Sequence, residues 1–332
     1  MSPGASLDRR LSVAPMMDWT DRHCRYFHRL LAPRALLYTE MVHAGAILHG
    51  DADRFLAFDP AEHPVALQLG GSEPADLARA AAIGAARGYD EINLNCGCPS
   101  ERVQRGRFGA CLMAEPALVA DCVAAMIAAV PPGLPVTVKC RIGVDDSEDL
   151  PFLERFVATV AAAGCRTFVV HARKAWLKGL SPKQNREIPP LRYELVHALK
   201  AAFPDLAIVL NGGLRDPALA RAALGPLDGA MIGREAYENP WSLRDFQALL
   251  CGVPAPPLGR AEVVAAMADY AARQVPAGVP VRAIARHMLG LFNGLPGARA
   301  WRRRLTLAQP EDGPGLLLEA ARFVTIPEDA AA

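Results

Sequence analysis

Aromatic residues are scarce, at 6% of the 332 positions, and Ala carries much of the apolar character, which favours helices. Neither sign of charge dominates: 36 basic and 35 acidic side chains leave a net charge of +1. With 52% apolar residues, a mainly disordered chain is excluded, because disorder needs low hydrophobicity and high net charge. No apolar run approaches the roughly 20 residues of a membrane span. The most apolar stretches, Phe156–Cys165 and Val119–Val130, are too short or are interrupted by Asp121. The N-terminus lacks an apolar segment, so no secretory signal is expected. The eight cysteines (Cys24, Cys96, Cys98, Cys111, Cys122, Cys140, Cys165 and Cys251) are scattered, and they read as free thiols of a cytoplasmic protein. The tight pair Cys96-x-Cys98 has no second Cys or His cluster at zinc spacing, so no metal is expected. No short repeat, low-complexity tract or GxGxxG turn is present.

What recurs is a short apolar or β-branched run, a polar turn, then an Ala-rich helical stretch. Eight such runs are legible: Leu11–Ala14, Leu36–Thr39, Val65–Leu69, Glu91–Leu94, Val136–Lys139, Thr167–His171, Ala207–Leu210 and Ala230–Ile232. Helices are expected over Glu73–Arg87 with Ser72 as N-cap, and over Ala117–Val130, Asp149–Ala163, Tyr193–Ala202 and Pro217–Ala223. This alternation predicts a parallel (β/α)8 TIM barrel, with an open doubly wound sheet as the rival. Pro240 turns Asn239 away from helix. The reading is therefore an α/β barrel over residues 1–240 and a small all-α helical domain over 241–332. Its clearest helices are Ala261–Arg273 and Val281–Phe292, and Ile326–Ala332 is expected to fray.

Barrels of this kind act at the C-terminal ends of their strands. Here those ends carry Pro15-Met16-Met17-Asp18, Thr39-Glu40, Gln68, Asn93 to Pro99, Lys139 and Arg141, His171-Ala172-Arg173, Asn211-Gly212-Gly213 and Gly233-Arg234. Polar groups at nearly every end of one face predict a functional site there. The glycines after the last two runs put bare amides where helices begin, which suits a phosphate, and Arg234 adds a charged donor. The alternative is that they only form tight turns. Lys139 suits an anionic ring or phosphate, or else snorkels at the mouth. His171 hydrogen-bonds a cofactor, acts as an acid, or simply packs. Gln68 reads a heterocycle or is a satisfied buried amide.

Cys98 lies in a loop close in sequence to Arg102, Arg105 and Arg107, and positive charge raises thiol reactivity. Cys96 and Cys111 compete with it. The connection from Ala172 to Pro190 carries Arg173, Lys174, Lys178, Lys183 and Arg186 against Glu187 alone. From Tyr270 to Pro310 no acid occurs, yet Arg273, Arg282, Arg286, Arg299, Arg302, Arg303 and Arg304 do. Segregated basic charge in a neutral protein suits a polyanion such as nucleic acid. A solvated helix face or an acidic partner is the alternative.

Four motifs in this order resemble the tRNA-dihydrouridine synthases: Ala14-Pro15-Met16-Met17-Asp18-Trp19-Thr20, Asn93 to Ser100, Val138-Lys139-Cys140-Arg141-Ile142-Gly143 and His171-Ala172-Arg173. The run from His171 to Arg186 further resembles the A-type bacterial subfamily, although Cys96 stands where an aliphatic residue is more usual. The resemblance spans about Leu11 to Arg304. It implies FMN in the barrel mouth and NADPH as reductant, with no membrane and no obligate protein partner. Pro15, Met16 and Met17 would line the flavin ring, and Gln68, Lys139 and His171 would hydrogen-bond it or its ribityl chain. Asn211, Gly212, Gly213, Gly233 and Arg234 would hold the phosphate. It makes Cys98 the proton donor in reduction of a flipped-out uridine to 5,6-dihydrouridine in the tRNA D-loop, at positions 20 and 20a. Asn95 would contact the uracil, and Lys183, Arg186, Arg299 and Arg302 the tRNA. Two rivals are a flavin barrel reducing a small molecule, such as dihydroorotate or an enone, and a non-catalytic RNA-binding protein on a retired barrel.

Overall fold

The computed structural model describes residues 7–326. Eight parallel strands close a barrel: β1 (Leu11–Val13), β2 (Leu36–Tyr38), β3 (Val65–Gly70), β4 (Glu91–Cys96), β5 (Val136–Arg141), β6 (Thr167–His171), β7 (Ala207–Asn211) and β8 (Gly229–Ile232). Each pairs with its sequence neighbours, and β1 pairs with β8 to close the ring. The expected TIM barrel and its helical appendage are therefore present. A two-residue strand, Val42–His43, adds beside Leu69–Gly70 and had no signal in the sequence.

Strand alternation sorts the side chains. Leu67, Leu69, Ile92, Leu94, Cys96, Val138 and Cys140 pack outward in the core under the helices. Leu36, Tyr38, Ala66, Val169, Val209 and Met231 fill the barrel interior. The inward set also carries buried polar groups, among them Glu91, Asn93, Thr137 and Gln68. Strand register then sets Asn95 opposite Lys139, Arg141 opposite His171, and His171 opposite Asn211. The polar groups thus collect at one end.

Helix bounds follow the sequence reading closely, with three corrections. Ser72 is not the N-cap of the helix Pro74–Ala86; Glu73 holds that position without a side-chain bond, because Pro74 starts the helix. The stretch Val281–Phe292 is not one helix. It breaks into Val281–Ala285 and a 3-10 turn at Arg286–Met288, where Asp21 holds Arg286 and His287 and the Trp301 indole donates to the Met288 carbonyl. The helix Arg22–Leu31 is not among the expected helices, because half of its residues are Arg or His, so it lacks the Ala-rich pattern of the others, and its partners lie far off in sequence. Its signal was Asp21, whose carboxylate accepts from the amides of His23 and Cys24.

The helix Leu243–Cys251 bears on the division of the chain. Its Gln247 side chain accepts from the Arg34 amide at 2.9 Å, and its Cys251 carbonyl accepts from Arg10 at 2.8 Å. These bonds tie it to the barrel as the last outer helix. We therefore propose that the helical domain begins near Arg260 rather than at 241. Of the segment expected to fray, residues 327–332 lie outside the described residues. Among the described residues no helix is long and apolar enough to cross a membrane.

The two parts meet across the helix that follows β1. Tyr26 stacks on Tyr270 at 4.1 Å. Asp21 accepts from Arg286 at 2.6 Å and from His287 at 3.0 Å. Burial alone would raise the Asp21 carboxyl, but His287, the Cys24 amide and Arg286 together hold it well below its ordinary 3.8. A carboxyl depressed on folding adds stability above its ordinary value, and that stability is lost as pH falls below it. Asp21→Asn is expected to cost about 1–3 kcal/mol at pH 7. Thermal unfolding at pH 7 and below pH 4 checks this: the gap to wild type should narrow in acid.

Candidate active site at the barrel mouth

A cavity of about 1080 Å³ opens at the C-terminal ends of the strands. Pro15, Met16, Met17, Gln68, Asn95, Cys98, Lys139, His171, Arg186, Asn211, Gly212, Gly213, Gly233 and Arg234 all line it. Of the residues to which the resemblance gives a role, Lys183, Arg299 and Arg302 are not in its wall. Lys183 is exposed on the Ala172–Pro190 connection, and Arg299 and Arg302 are exposed on the helix Ala298–Thr306.

Lys139 donates to the Asn211 side chain at 3.0 Å, and Asn211 in turn donates to the Met231 carbonyl. Burial, then the Arg141 charge, pushes the Lys139 ammonium down to about 8. Burial also holds His171 well below its ordinary value, helped by Arg141 and Lys139. His171 is therefore a neutral ring at pH 7, suited to hydrogen bonding and not to supplying a proton.

Gly212 and Gly213 have φ of +110° and +72°, a region open to glycine. A Cβ on Gly212 would stand 2.5 Å from His171 Cδ2, and one on Gly213 would stand 2.4 Å from a Leu191 methyl. Backbone and imidazole therefore form a close-fitting wall that only glycine permits. The sequence reading set this glycine pair at a helix start. The helix instead begins at Pro217, capped by Asp216, because the two positive φ angles turn the chain first. Gly233 does precede a helix directly, the short Arg234–Glu238, and Arg234 pairs with Glu187 at 2.6 Å.

The three candidate thiols separate clearly. Cys96 is fully buried against the outer core, and burial pushes its thiol up. Cys111 donates to the Phe108 carbonyl and lies outside the cavity wall. Cys98 is half-buried, lines the cavity and donates weakly to the Ser100 hydroxyl at 3.6 Å. The cations in its field include Lys139, Arg141 and Arg186, which come from elsewhere in the chain. Arg105 and Arg107, its neighbours in sequence, point away and pair with Glu101 and Glu115.

Arg141 was noted only as a strand-end charge, yet it joins two loops. It donates to the carbonyls of Gly97 (2.9 Å), Lys174 (3.1 Å) and Asn185 (2.9 Å). Asn185, fully buried, closes the basic connection by bonding the amide and carbonyl of Trp176 and the Leu180 carbonyl. Arg186, next to it, is exposed and lines the cavity. The arginine surplus of the helical domain is smaller than the sequence indicates. Arg304 pairs with Asp312 and Glu319, Arg286 pairs with Asp21, and Arg273 lies over Tyr26 and Tyr270. Arg282, Arg299, Arg302 and Arg303 make no ion pair among the described residues.

An eight-stranded parallel barrel that gathers a lysine, a neutral histidine, a glycine-only wall and an accessible thiol at one mouth defines a barrel enzyme with a deep ligand site. The chain belongs to the dihydrouridine synthase family, whose profile, described as "Dihydrouridine synthase (Dus)", it matches over residues 12–325. It is 58% identical over 314 residues to the tRNA-dihydrouridine(20/20a) synthase of Xanthomonas campestris pv. campestris, covering 94% of this chain and 92% of that one. It is 56% identical over 319 residues to the protein of that name from Vibrio cholerae serotype O1, covering 96% and 97%. Among solved structures, a morphinone reductase shares the fold, with a TM-score of 0.54 at 15% identity over 77% of this chain and 89% of its own.

Proposed function

We propose that this enzyme reduces the C5=C6 bond of uridine to 5,6-dihydrouridine in the tRNA D-loop, at the positions named for its relatives, 20 and 20a. The reading takes FMN as the cofactor, NADPH as the reductant and the cytoplasm as the setting. The observation that carries it is Cys98: in a member of this family, it is the one of the three candidate thiols set in the wall of the cation-lined cavity.

The cavity fits the cofactor on its own terms. Gly212 and Gly213 let the backbone of the cavity wall lie close against His171 and Leu191, where a Cβ would push both side chains away, and Lys139 and the Glu187-paired Arg234 stand in the same wall. Pro15, Met16 and Met17 would line the flavin ring, and Gln68, Lys139 and His171 would hydrogen-bond it. Asn211, Gly212, Gly213, Gly233 and Arg234 would hold the phosphate. When bound, a flavin supplies the hydride chemistry, taking two electrons from a nicotinamide and passing them to the pyrimidine. The protein's part is then to bring in the base, orient it and supply a proton. A base stacked in folded tRNA must leave its stack to enter. Asn95 and Arg186 would hold it in the cavity, while Lys183, Arg299 and Arg302 hold the tRNA backbone outside. Cys98 Sγ delivers the proton to C5. Negative charge developing on the uracil carbonyl is stabilised by the fixed cations of the wall.

The test is a two-step anaerobic experiment: NADPH reduces the purified protein, then unmodified tRNA is added. Reoxidation of the flavin by tRNA supports the reading. Reoxidation by a small acceptor but not by tRNA overturns it.

Lys139 gives a pH prediction. Below pH 8 its ammonium is already charged and can meet an anionic ligand. Above about pH 8 in the empty site, binding must take up a proton, so flavin affinity should fall by up to about tenfold per pH unit. Fluorescence titration of flavin between pH 6.5 and 9.5 measures this, and Lys139→Met should flatten the profile.

A further inference from the structure

Through the barrel interior runs an unbroken line of hydrogen bonds from a buried carboxylate at the closed end to the Cys98 loop. Glu91 forms an ion pair with Arg9 through Oε2 and accepts the hydroxyls of Tyr38 and Thr137 on Oε1, each at 2.6 Å. Thr137 Oγ1 has then spent its only proton, so it accepts from Asn93 Nδ2 at 2.8 Å. That leaves Asn93 Oδ1 to accept from Gln68 Nε2, and Gln68 Oε1 to accept from Asn95 Nδ2, both at 2.8 Å. Asn95 Oδ1 finally accepts the backbone amides of Gly97 (3.1 Å) and Cys98 (3.0 Å). Glu91, Asn93, Thr137, Gln68 and Asn95 are all buried.

An amide side chain presents a donor or an acceptor according to which way it is turned, and nothing in its shape chooses. Here the choice propagates. A carboxylate facing a guanidinium only accepts, the Gly97 and Cys98 amides at the far end only donate, and the groups between keep the one orientation that suits both ends. We propose that Glu91 is a positioning residue: acting through Thr137 and Asn93, it fixes which way the Gln68 and Asn95 amides face, and so holds the Cys98 loop against the cavity. The remaining N–H of Gln68 Nε2 is then a donor available to the cavity that Gln68 lines. The importance of this for turnover rests on the proposed role of Cys98; the geometry does not.

Reversal has a definite consequence. In Glu91→Gln the new carbonyl faces Arg9 and the new NH2 faces Thr137. Thr137 can go on accepting from Asn93 only by leaving its own proton unpaired in the core; to satisfy it, Thr137 donates to Asn93, Asn93 donates to Gln68, and Gln68 donates to Asn95. The Asn95 NH2 is driven against two backbone N–H groups, and the loop loses its anchor. Thr137→Val breaks the same line with almost no change in shape, whereas Thr137→Ser preserves it. Tyr38→Phe removes an equally short bond to the same Glu91 oxygen but lies off the line.

The experiment measures alkylation of Cys98 by iodoacetamide in flavin-free protein, mapped peptide by peptide, beside kcat and KM for tRNA in the loaded enzyme. Glu91→Gln and Thr137→Val should each speed Cys98 alkylation roughly tenfold, as expected for loss of about one anchoring bond. They should lower kcat by roughly tenfold to a hundredfold with KM little changed. Thr137→Ser and Tyr38→Phe should stay close to wild type in alkylation. Wild-type alkylation in Thr137→Val overturns the proposal, and so does an equal rise in Tyr38→Phe, which would mark a merely structural role. If Glu91→Gln does not fold, Thr137→Val decides alone. If the wild-type enzyme does not act on tRNA, the functional reading fails while alkylation still judges the line.

Discussion

Cys98→Ala is expected to bind and reduce its flavin normally and to lose turnover on tRNA by about 10²- to 10⁴-fold, the range for removal of a positioned proton donor. The thiol lines the cavity and its loop is held from two sides. Asn95 accepts the Gly97 and Cys98 amides from within the barrel, and Arg141 takes the Gly97 carbonyl from the next strand. The variant removes one sulfur and leaves both anchors in place, so binding of cofactor and tRNA should survive. Stopped-flow absorbance separates the steps: reduction by NADPH should match wild type, and reoxidation by tRNA should nearly vanish. Cys111→Ala is the control, because that thiol faces the Phe108 carbonyl outside the cavity. Normal turnover in Cys98→Ala, or a comparable loss in Cys111→Ala, would remove Cys98 from its assigned role.

Gly212→Ala is expected to weaken flavin binding by roughly a hundredfold. Two costs combine. Alanine does not readily adopt φ of +110°, so the free variant relaxes and binding must restore the strained backbone, at a cost of about 1–3 kcal/mol. Its Cβ would also stand 2.5 Å from His171 Cδ2 and 2.9 Å from Nε2, so the imidazole must leave its place. At about 1.4 kcal/mol per tenfold, a total near 3 kcal/mol gives the stated loss. Equilibrium titration with FMN measures it. The mechanism is tested by a double-mutant cycle with His171→Ala. If the alanine acts chiefly by displacing the imidazole, the two changes are far from additive, and the double variant binds little worse than His171→Ala alone. Full additivity would show that Gly212 contributes only backbone freedom.

Much of the site was legible because barrel strands are read locally. A run such as Val136-Thr137-Val138-Lys139 shows its length, its β-branched character and the polar group at its end within a few residues. That suffices to place Lys139, His171, Gln68 and Asn211 at the mouth. The Cys98 loop was legible only in part. Counting inward from Asn93 and Asn95 turns Cys96 outward, but no local pattern separates Cys98 from Cys111. Of the three basic neighbours, Arg102 does line the cavity with Cys98, and the other two are placed wrongly for the same reason. Arg105 and Arg107 stand near Cys98 in sequence and pair elsewhere, whereas Lys139, Arg141 and Arg186 reach it through space. The helix Arg22–Leu31 escaped notice because it is held by partners distant in sequence, such as the Tyr270 hydroxyl bonded to His23.

By itself the sequence determined the class of fold, the end of the barrel that carries chemistry, and the family. Each of these depends on short-range periodicity or on the order of contiguous motifs. Only the tertiary structure decided which thiol faces the cavity, which arginines remain unpaired, and that Glu91, Thr137, Asn93, Gln68 and Asn95 join in one hydrogen-bonded line across β3, β4 and β5. Those facts depend on ring closure and strand register, which set side chains from distant segments within hydrogen-bond reach and leave no mark in any local stretch of the chain.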